Sequence, residues 1–132
     1  MSRVPQRIRD LVQKRAAGYC EYCRKPEPFS AYSFHVDHII PVKRHNGSEE
    51  IHNLAWACLD CNTFKSTDVA AYDDITKELT PLYNPRTQLW ADHFELHGLF
   101  IVGKTTIGRV TVRLLRMNDP ERIELRRNYL EE

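Results

Sequence analysis

The chain is predicted to be a single α+β domain braced by zinc, on three observations. Its four cysteines fall as two pairs, Cys20 and Cys23 in YCEYC and Cys58 and Cys61 in ACLDC, with 34 residues between the pairs. Two β-branched, apolar stretches, FHVDHIIPV (34–42) and IHNLAWA (51–57), lie inside that interval. Helical patterning flanks it on both sides.

The elements follow in chain order. Val4, Ile8, Leu11 and Val12 keep helical spacing, Pro5 suits a first turn and Gly18 a stop, which predicts an N-terminal helix. The first cysteine pair follows directly. Residues 34–42 predict a strand, HNGSEE (45–50) a loop, and 51–57 a second strand returning antiparallel to the first. The second cysteine pair then opens a helix expected to run to about Tyr72. Residues 73–89 carry two prolines and little periodicity, so they predict a connection laid over the surface. Trp90 to Leu96 and Leu99 to Val102 flank His97-Gly98 as a hairpin. Thr105 to Met117 predicts a helix with Ile107, Val110, Leu114 and Leu115 on one side. Asp119-Pro120 reads as the cap and first residue of a final helix carrying Ile123, Arg126, Arg127 and Leu130. One domain, 1–132, is expected, with a core over about 15–72 and a C-terminal extension over about 81–132.

Two thiolates three positions apart bind one ion on a tight turn, and two such turns complete the tetrahedral site that structural zinc prefers. A disulfide pair is the alternative, set aside because no apolar signal region precedes the first cysteine and a reducing, cytoplasmic compartment is expected. Thioredoxin-like chemistry is disfavoured by the absence of a βαβ pattern around either pair. No apolar run is long enough for a membrane span.

Composition is ordinary for a folded protein, with 42% hydrophobic and 28% charged residues. The formal charge of +1 excludes gripping nucleic acid by bulk charge, but it is a sum of opposing blocks. Residues 1–25 hold seven basic and two acidic residues, 101–127 hold seven and three, and 68–95 hold two and six. Both terminal blocks are expected to flank the site on the DNA side, with the acidic connection turned away.

The informative polar residues are His35, Asp37, His38, Asn53, Asn62 and Lys65. Singly each has a bland explanation, such as a surface pair, a cap or a solvated face. Together they converge, because zinc at Cys61 fixes Asn62 at a helix start and ties that helix to the strand bearing Asp37 and His38. Lys65, three residues on, shares the Asn62 face. A carboxylate, an amide oxygen and an imidazole would then surround one point. Asp37 and Asn62 suit a hard divalent ion that keeps several waters. His35 lies two residues before Asp37 and faces the same way on a strand. It could touch the metal or a phosphate, or simply pack at the strand start. His45, His52, His93 and His97 are expected to be loop or hairpin residues.

In CEYC, HVDHIIP, HNL and CLDCNTFK the sequence resembles the HNH endonuclease family over about residues 15–68. The resemblance implies a zinc-stabilised ββα-metal (His-Me finger) core. It implies that His38 is the general base, that Asp37 and Asn62 bind the catalytic metal, and that Asn53 braces the loop between the strands. Lys65 would meet the scissile phosphate or its neighbour. Asn62 stands where the family often has His, which leans the metal toward Mg²⁺ or Mn²⁺. A neutral imidazole would accept a proton from water, and the metal would stabilise charge on the phosphate and the leaving oxygen. The implied products carry 5′-phosphate and 3′-hydroxyl ends. One such motif cuts one strand, so a monomer or weak homodimer acting on DNA is expected. The segment from Pro81 to Arg109 is similar to an extension of bacterial HNH proteins. Lys104, Arg109, Arg113 and Arg116 recur at spacings of three to five and could form a phosphate track, or a solvated helix face. The competing functions are a zinc-stabilised DNA-binding module that does not cut and a zinc domain that binds protein.

Overall fold

In a computed structural model that describes residues 4–131, the chain forms six short strands in three antiparallel pairs, together with six helices. Helix α1 (Gln6–Arg15) leads into the first cysteine turn. Strand β1 (His35–His38) pairs with β2 (Leu54–Ala57), with His35 opposite Ala57 and His38 opposite Leu54. Helix α2 (Val42–His45) lies between them, and α3 (Leu59–Lys65) follows β2. Strands β3 (Ala70–Tyr72) and β4 (Leu79–Pro81) form the second pair. Helix α4 (Trp90–His93) precedes the third pair, β5 (Phe94–His97) and β6 (Phe100–Gly103). Helices α5 (Thr106–Leu114) and α6 (Pro120–Leu130) complete the chain. Arg3, counted in the N-terminal basic block, lies outside the described residues. No helix among the described residues is long and apolar enough to cross a membrane.

The core gathers around β2, every residue of which is buried. Trp56 holds its centre. Its backbone N–H donates to Glu21 (2.7 Å), its carbonyl accepts from the Glu21 N–H (2.8 Å), and its indole N–H reaches Glu27 (2.8 Å). Glu21 also pairs with Arg86. These bonds satisfy the polar atoms of a ring that is 2% exposed. Val12, Phe34 and Leu54 are buried in the same cluster, while Leu11, expected on the apolar face of α1, stays half exposed.

Several boundaries differ from expectation. The first strand is four residues long, and Pro41 then caps α2, because a proline cannot donate to a ladder. The second stretch begins with a tight 3-10 turn (Ile51–Asn53) before it becomes strand. Helix α3 ends at Lys65 and does not continue to Tyr72. Ser66 takes a left-handed φ of 49°, which reverses the chain into β3. The 73–89 segment is no surface connection. It supplies β4 and the buried Thr80, Leu82 and Tyr83. Asp119 precedes α6 as expected, yet its side chain makes no capping hydrogen bond. The hairpin around Gly98 forms as expected, preceded by the short α4.

Arg109 and Arg113 are not lined up for phosphate. Arg109 donates through Nε and Nη2 to both oxygens of the buried Asp73 (3.0 Å each), and Arg113 bonds Asp74 and the Tyr72 carbonyl (2.7 Å each). Lys104 bonds the Ala91 carbonyl, and Arg116 lies over the Phe64 ring. Asp73 and Asp74 of the acidic connection are therefore clasped to Arg109 and Arg113 of the C-terminal basic block. The Arg109 hydrogen bonds, joined by that of the Thr76 N–H, hold the Asp73 carboxyl well below the usual carboxylate range, despite burial. A depressed carboxyl contributes stability that is complete above its unfolded value near 4 and is lost as pH falls through the folded value. Wild-type thermal midpoints should accordingly drop between about pH 4 and pH 2. Asp73→Asn should melt lower at neutral pH and show a shallower acid slope, as followed by circular dichroism.

Candidate functional site

The cysteine spacing produces a closed cluster. All four sulfurs lie within 4.8 Å of one another and are buried, with Cys23 and Cys58 Sγ 3.7 Å apart. In each turn the second cysteine donates its N–H to the first sulfur (Cys23 to Cys20 and Cys61 to Cys58, both 3.4 Å), so Cys58 also caps α3. Four soft donors converging at this distance suit zinc and fit a tetrahedral shell. Burial pushes the Cys20 and Cys61 thiols up, whereas hydrogen bonds from the other three cysteines pull Cys23 down. Arg122, from α6, places Nη2 3.0 Å from Cys61 Sγ. Burial alone would lower its pKa. The adjacent cysteine charges outweigh that and push it up.

Beside this cluster an open cleft of about 670 Å³ is lined by His35, Asp37, His38 and Asn62, with Arg9 and Lys43 at its margin. Strand β1 brings the first three there, and α3, pinned through Cys58 and Cys61, brings Asn62. His38 sits at the end of its strand with the side chain 23% exposed and Nε2 2.6 Å from Glu49. That contact leaves Nδ1 as the remaining ring nitrogen. Asn62 is part-exposed in the cleft wall and offers an amide oxygen. His35 is partly buried in the same wall, as its two-residue offset from Asp37 predicts.

Asp37 is 4% exposed and already partnered. The Tyr22 hydroxyl donates to Oδ2 (2.7 Å), and Lys65 Nζ lies 3.2 Å from both oxygens. Burial pushes the Asp37 carboxyl up, against the pull of Lys65 and Tyr22. Burial, joined by the Asp37 charge and hydrogen bond, pushes the Tyr22 hydroxyl well up. A carboxylate retains lone pairs beyond these two bonds, so Asp37 and Asn62 together still present oxygen donors of the kind Mg²⁺ or Mn²⁺ takes. Lys65 differs from expectation. Its ammonium is 1% exposed and also donates to the His38 carbonyl (3.1 Å), so it faces the carboxylate and not an incoming phosphate.

Asn53 ties down the loop between the strands. Its Oδ1 accepts from the Ile40 N–H (2.9 Å), and its Nδ2 donates to the carbonyls of Ile40 (2.9 Å) and Ser48 (2.8 Å). Gly47 closes the same loop so tightly that a Cβ would fall 1.6 Å from the Ile40 carbonyl oxygen. Asn53→Ala removes three bonds at a buried position and leaves polar groups unpaired. The expected cost is about 2–4 kcal/mol, read as a lower denaturant midpoint at an unchanged zinc content.

Four contributors were not singled out in the sequence. Tyr22 sits between the cysteines, where its signal was hidden in the metal motif. Glu49 lies in a polar loop eleven residues from His38. Arg9 hydrogen-bonds the Phe34 carbonyl (2.7 Å) and stacks over Trp56 (4.7 Å), and Arg122 is distant in the chain from the cysteines it meets.

Comparison with known proteins bears on this centre. Residues 20–68 match the model of one family, described as HNH endonuclease. No curated protein and no solved structure matches the chain.

Proposed function

We propose, on the premise that residues 20–68 are an HNH segment and so carry a nuclease-type or DNA-binding function, that this protein is a metal-dependent endonuclease hydrolysing DNA phosphodiester bonds. The observation that supports the reading is that His38 lines one cleft together with Asp37 and Asn62. An imidazole there is open enough to meet water, while its far nitrogen is held by Glu49. With Nε2 so engaged, Nδ1 is the atom that accepts the proton of the attacking water, and Glu49 orients the ring. Asp37 and Asn62 would hold Mg²⁺ or Mn²⁺, which supplies Lewis-acid stabilisation of a charged phosphate when bound. Asn53 keeps the loop behind His38 in place, so that the ring enters the reaction already oriented. Lys65 secures the Asp37 carboxylate and the backbone of His38 at one point. Arg9, Lys43 and the exposed Arg44 provide positive charge at or near the cleft for the DNA backbone.

One observation favours a second reading, a DNA-binding module that does not cut. Both Asp37 oxygens already face Lys65, a resident cation that competes with a metal for the same carboxylate. Supercoiled plasmid incubated with zinc-loaded protein and Mg²⁺ or Mn²⁺ separates the two. Conversion to open circles is expected. Intact plasmid under both metals, still retarded in a gel by the protein, would establish the binding module instead.

A further inference from the structure

Helix α6 docks through buried arginines more than through an apolar stripe. Arg122 and Arg126 are 7% and 2% exposed, while Leu130 is 43% exposed. Arg126 bonds neutral groups, the carbonyls of Leu99 (2.8 Å) and Met117 (2.7 Å) and the Asn118 amide oxygen, and its Nε is buried without a hydrogen bond among the described residues. Arg122 is different. Its Nη1 donates to the carbonyls of Leu115 (2.5 Å) and Arg116 (3.1 Å), but its Nη2 is given to sulfur, 3.0 Å from Cys61 and 3.8 Å from Cys58. The nearest carboxylate, on the half-exposed Asp60, is 3.8 Å from Nε and beyond hydrogen-bond reach.

A hydrogen bond between a guanidinium and an anionic acceptor is stronger than one to a neutral carbonyl, and Arg122, unlike Arg126, has such an acceptor within reach. The cysteine cluster supplies negative charge at hydrogen-bond distance, and Asp60 adds a longer ion pair at 3.8 Å. Four thiolates around one divalent zinc hold about two net negative charges, and a single guanidinium offsets about half of that. Groups that bond metal-bound ligands from outside tune how firmly the metal is held.

We propose that Arg122 is the counter-cation of the four-cysteine centre, and that its bond to Cys61 links zinc retention to the docking of α6. The linkage is reciprocal: whatever factor the docked helix adds to zinc affinity, zinc adds to helix docking. The C-terminal helix is thereby a clasp on the metal, contributed from outside the matched 20–68 segment.

The test measures zinc release from the loaded full-length protein into excess chromogenic chelator. Arg122→Met should speed release by roughly 10-fold or more, the usual scale for lost outer partners of a metal site. Arg122→Lys, which keeps the charge but not the fork, should fall between Met and wild type. Arg126→Met, an equally buried arginine of the same helix without a sulfur contact, should stay within about 3-fold of wild type. Unchanged release in Arg122→Met, or equal acceleration in Arg126→Met, would overturn the proposal. Should Arg122→Met not fold, graded chelation of the wild type under limited trypsin digestion carries the test. Cleavage within residues 120–131 should rise in step with zinc loss, ahead of cleavage in α5. Persistence of α6 protection after zinc is gone, or simultaneous cleavage along the whole chain, would overturn it.

Discussion

His38→Ala is expected to lower plasmid nicking by about 10²–10⁴-fold, the range that positioned general bases contribute. The ring stands in the cleft at the end of β1, with His35 at the start of the same strand, and its replacement removes the proposed proton acceptor without touching the cysteine cluster or the Trp56 core. Among the described residues the side-chain hydrogen bond lost is the contact with Glu49, and surface pairs of that kind are worth about 0–1 kcal/mol. Zinc content, melting behaviour and gel retardation of DNA should therefore stay close to wild type while cutting falls. Nicking that persists at the wild-type rate in His38→Ala would remove His38 as the base.

The largest effect on stability is expected from Cys61→Ser. Cys61 belongs to the four-cysteine cluster suited to zinc, lies in α3 directly before Asn62, and is the sulfur that meets Arg122. Structural zinc contributes on the order of 10 kcal/mol in small zinc-binding peptides. Whole domains of this size have only about 5–15 kcal/mol to lose. The substitution also leaves a buried guanidinium without its anion. Purified Cys61→Ser should hold well under one zinc per chain and lose its cooperative thermal transition, as strong chelation of the wild type should also do. A full complement of zinc with an unshifted transition would show that Cys61 is not a ligand.

What the sequence disclosed and what it concealed divide along chain separation. The metal cluster was legible because each half is a local turn, and the period-2 stretches around Val36 and Ala55 could pair only as β1 and β2. Helix α3 was overrun because the reversal at Ser66 carries no glycine or proline to announce it. The β3–β4 pair was hidden by Pro81, which ends a strand where two prolines suggested mere connection. The basic residues of α5 were legible as a pattern but not as an outcome. Their partners Asp73 and Asp74 lie 36 and 39 positions away, and ion pairing over such distance leaves no spacing rule. Lys65 shows the same limit, since a lysine at a helix end is ordinarily solvated and only the fold turns it back onto Asp37, 28 residues earlier. Asp37, His38 and Asn62 line one cleft, and their chemical roles rest on the experiments above.

Each of the three sheets in this protein has only two strands, and an isolated two-stranded sheet is barely stable in water. The pair that carries Asp37 and His38 survives because other parts of the chain lean on it. Trp90 donates its indole N–H to the Tyr22 carbonyl (2.8 Å), Arg86 meets Glu21, and Arg122 reaches the sulfurs. The matched 20–68 segment is thus not a portable cassette. Grafted elsewhere it would leave behind the supports that hold its own strands together, and an engineer wishing to move this centre would have to carry residues from α1 to α6 with it.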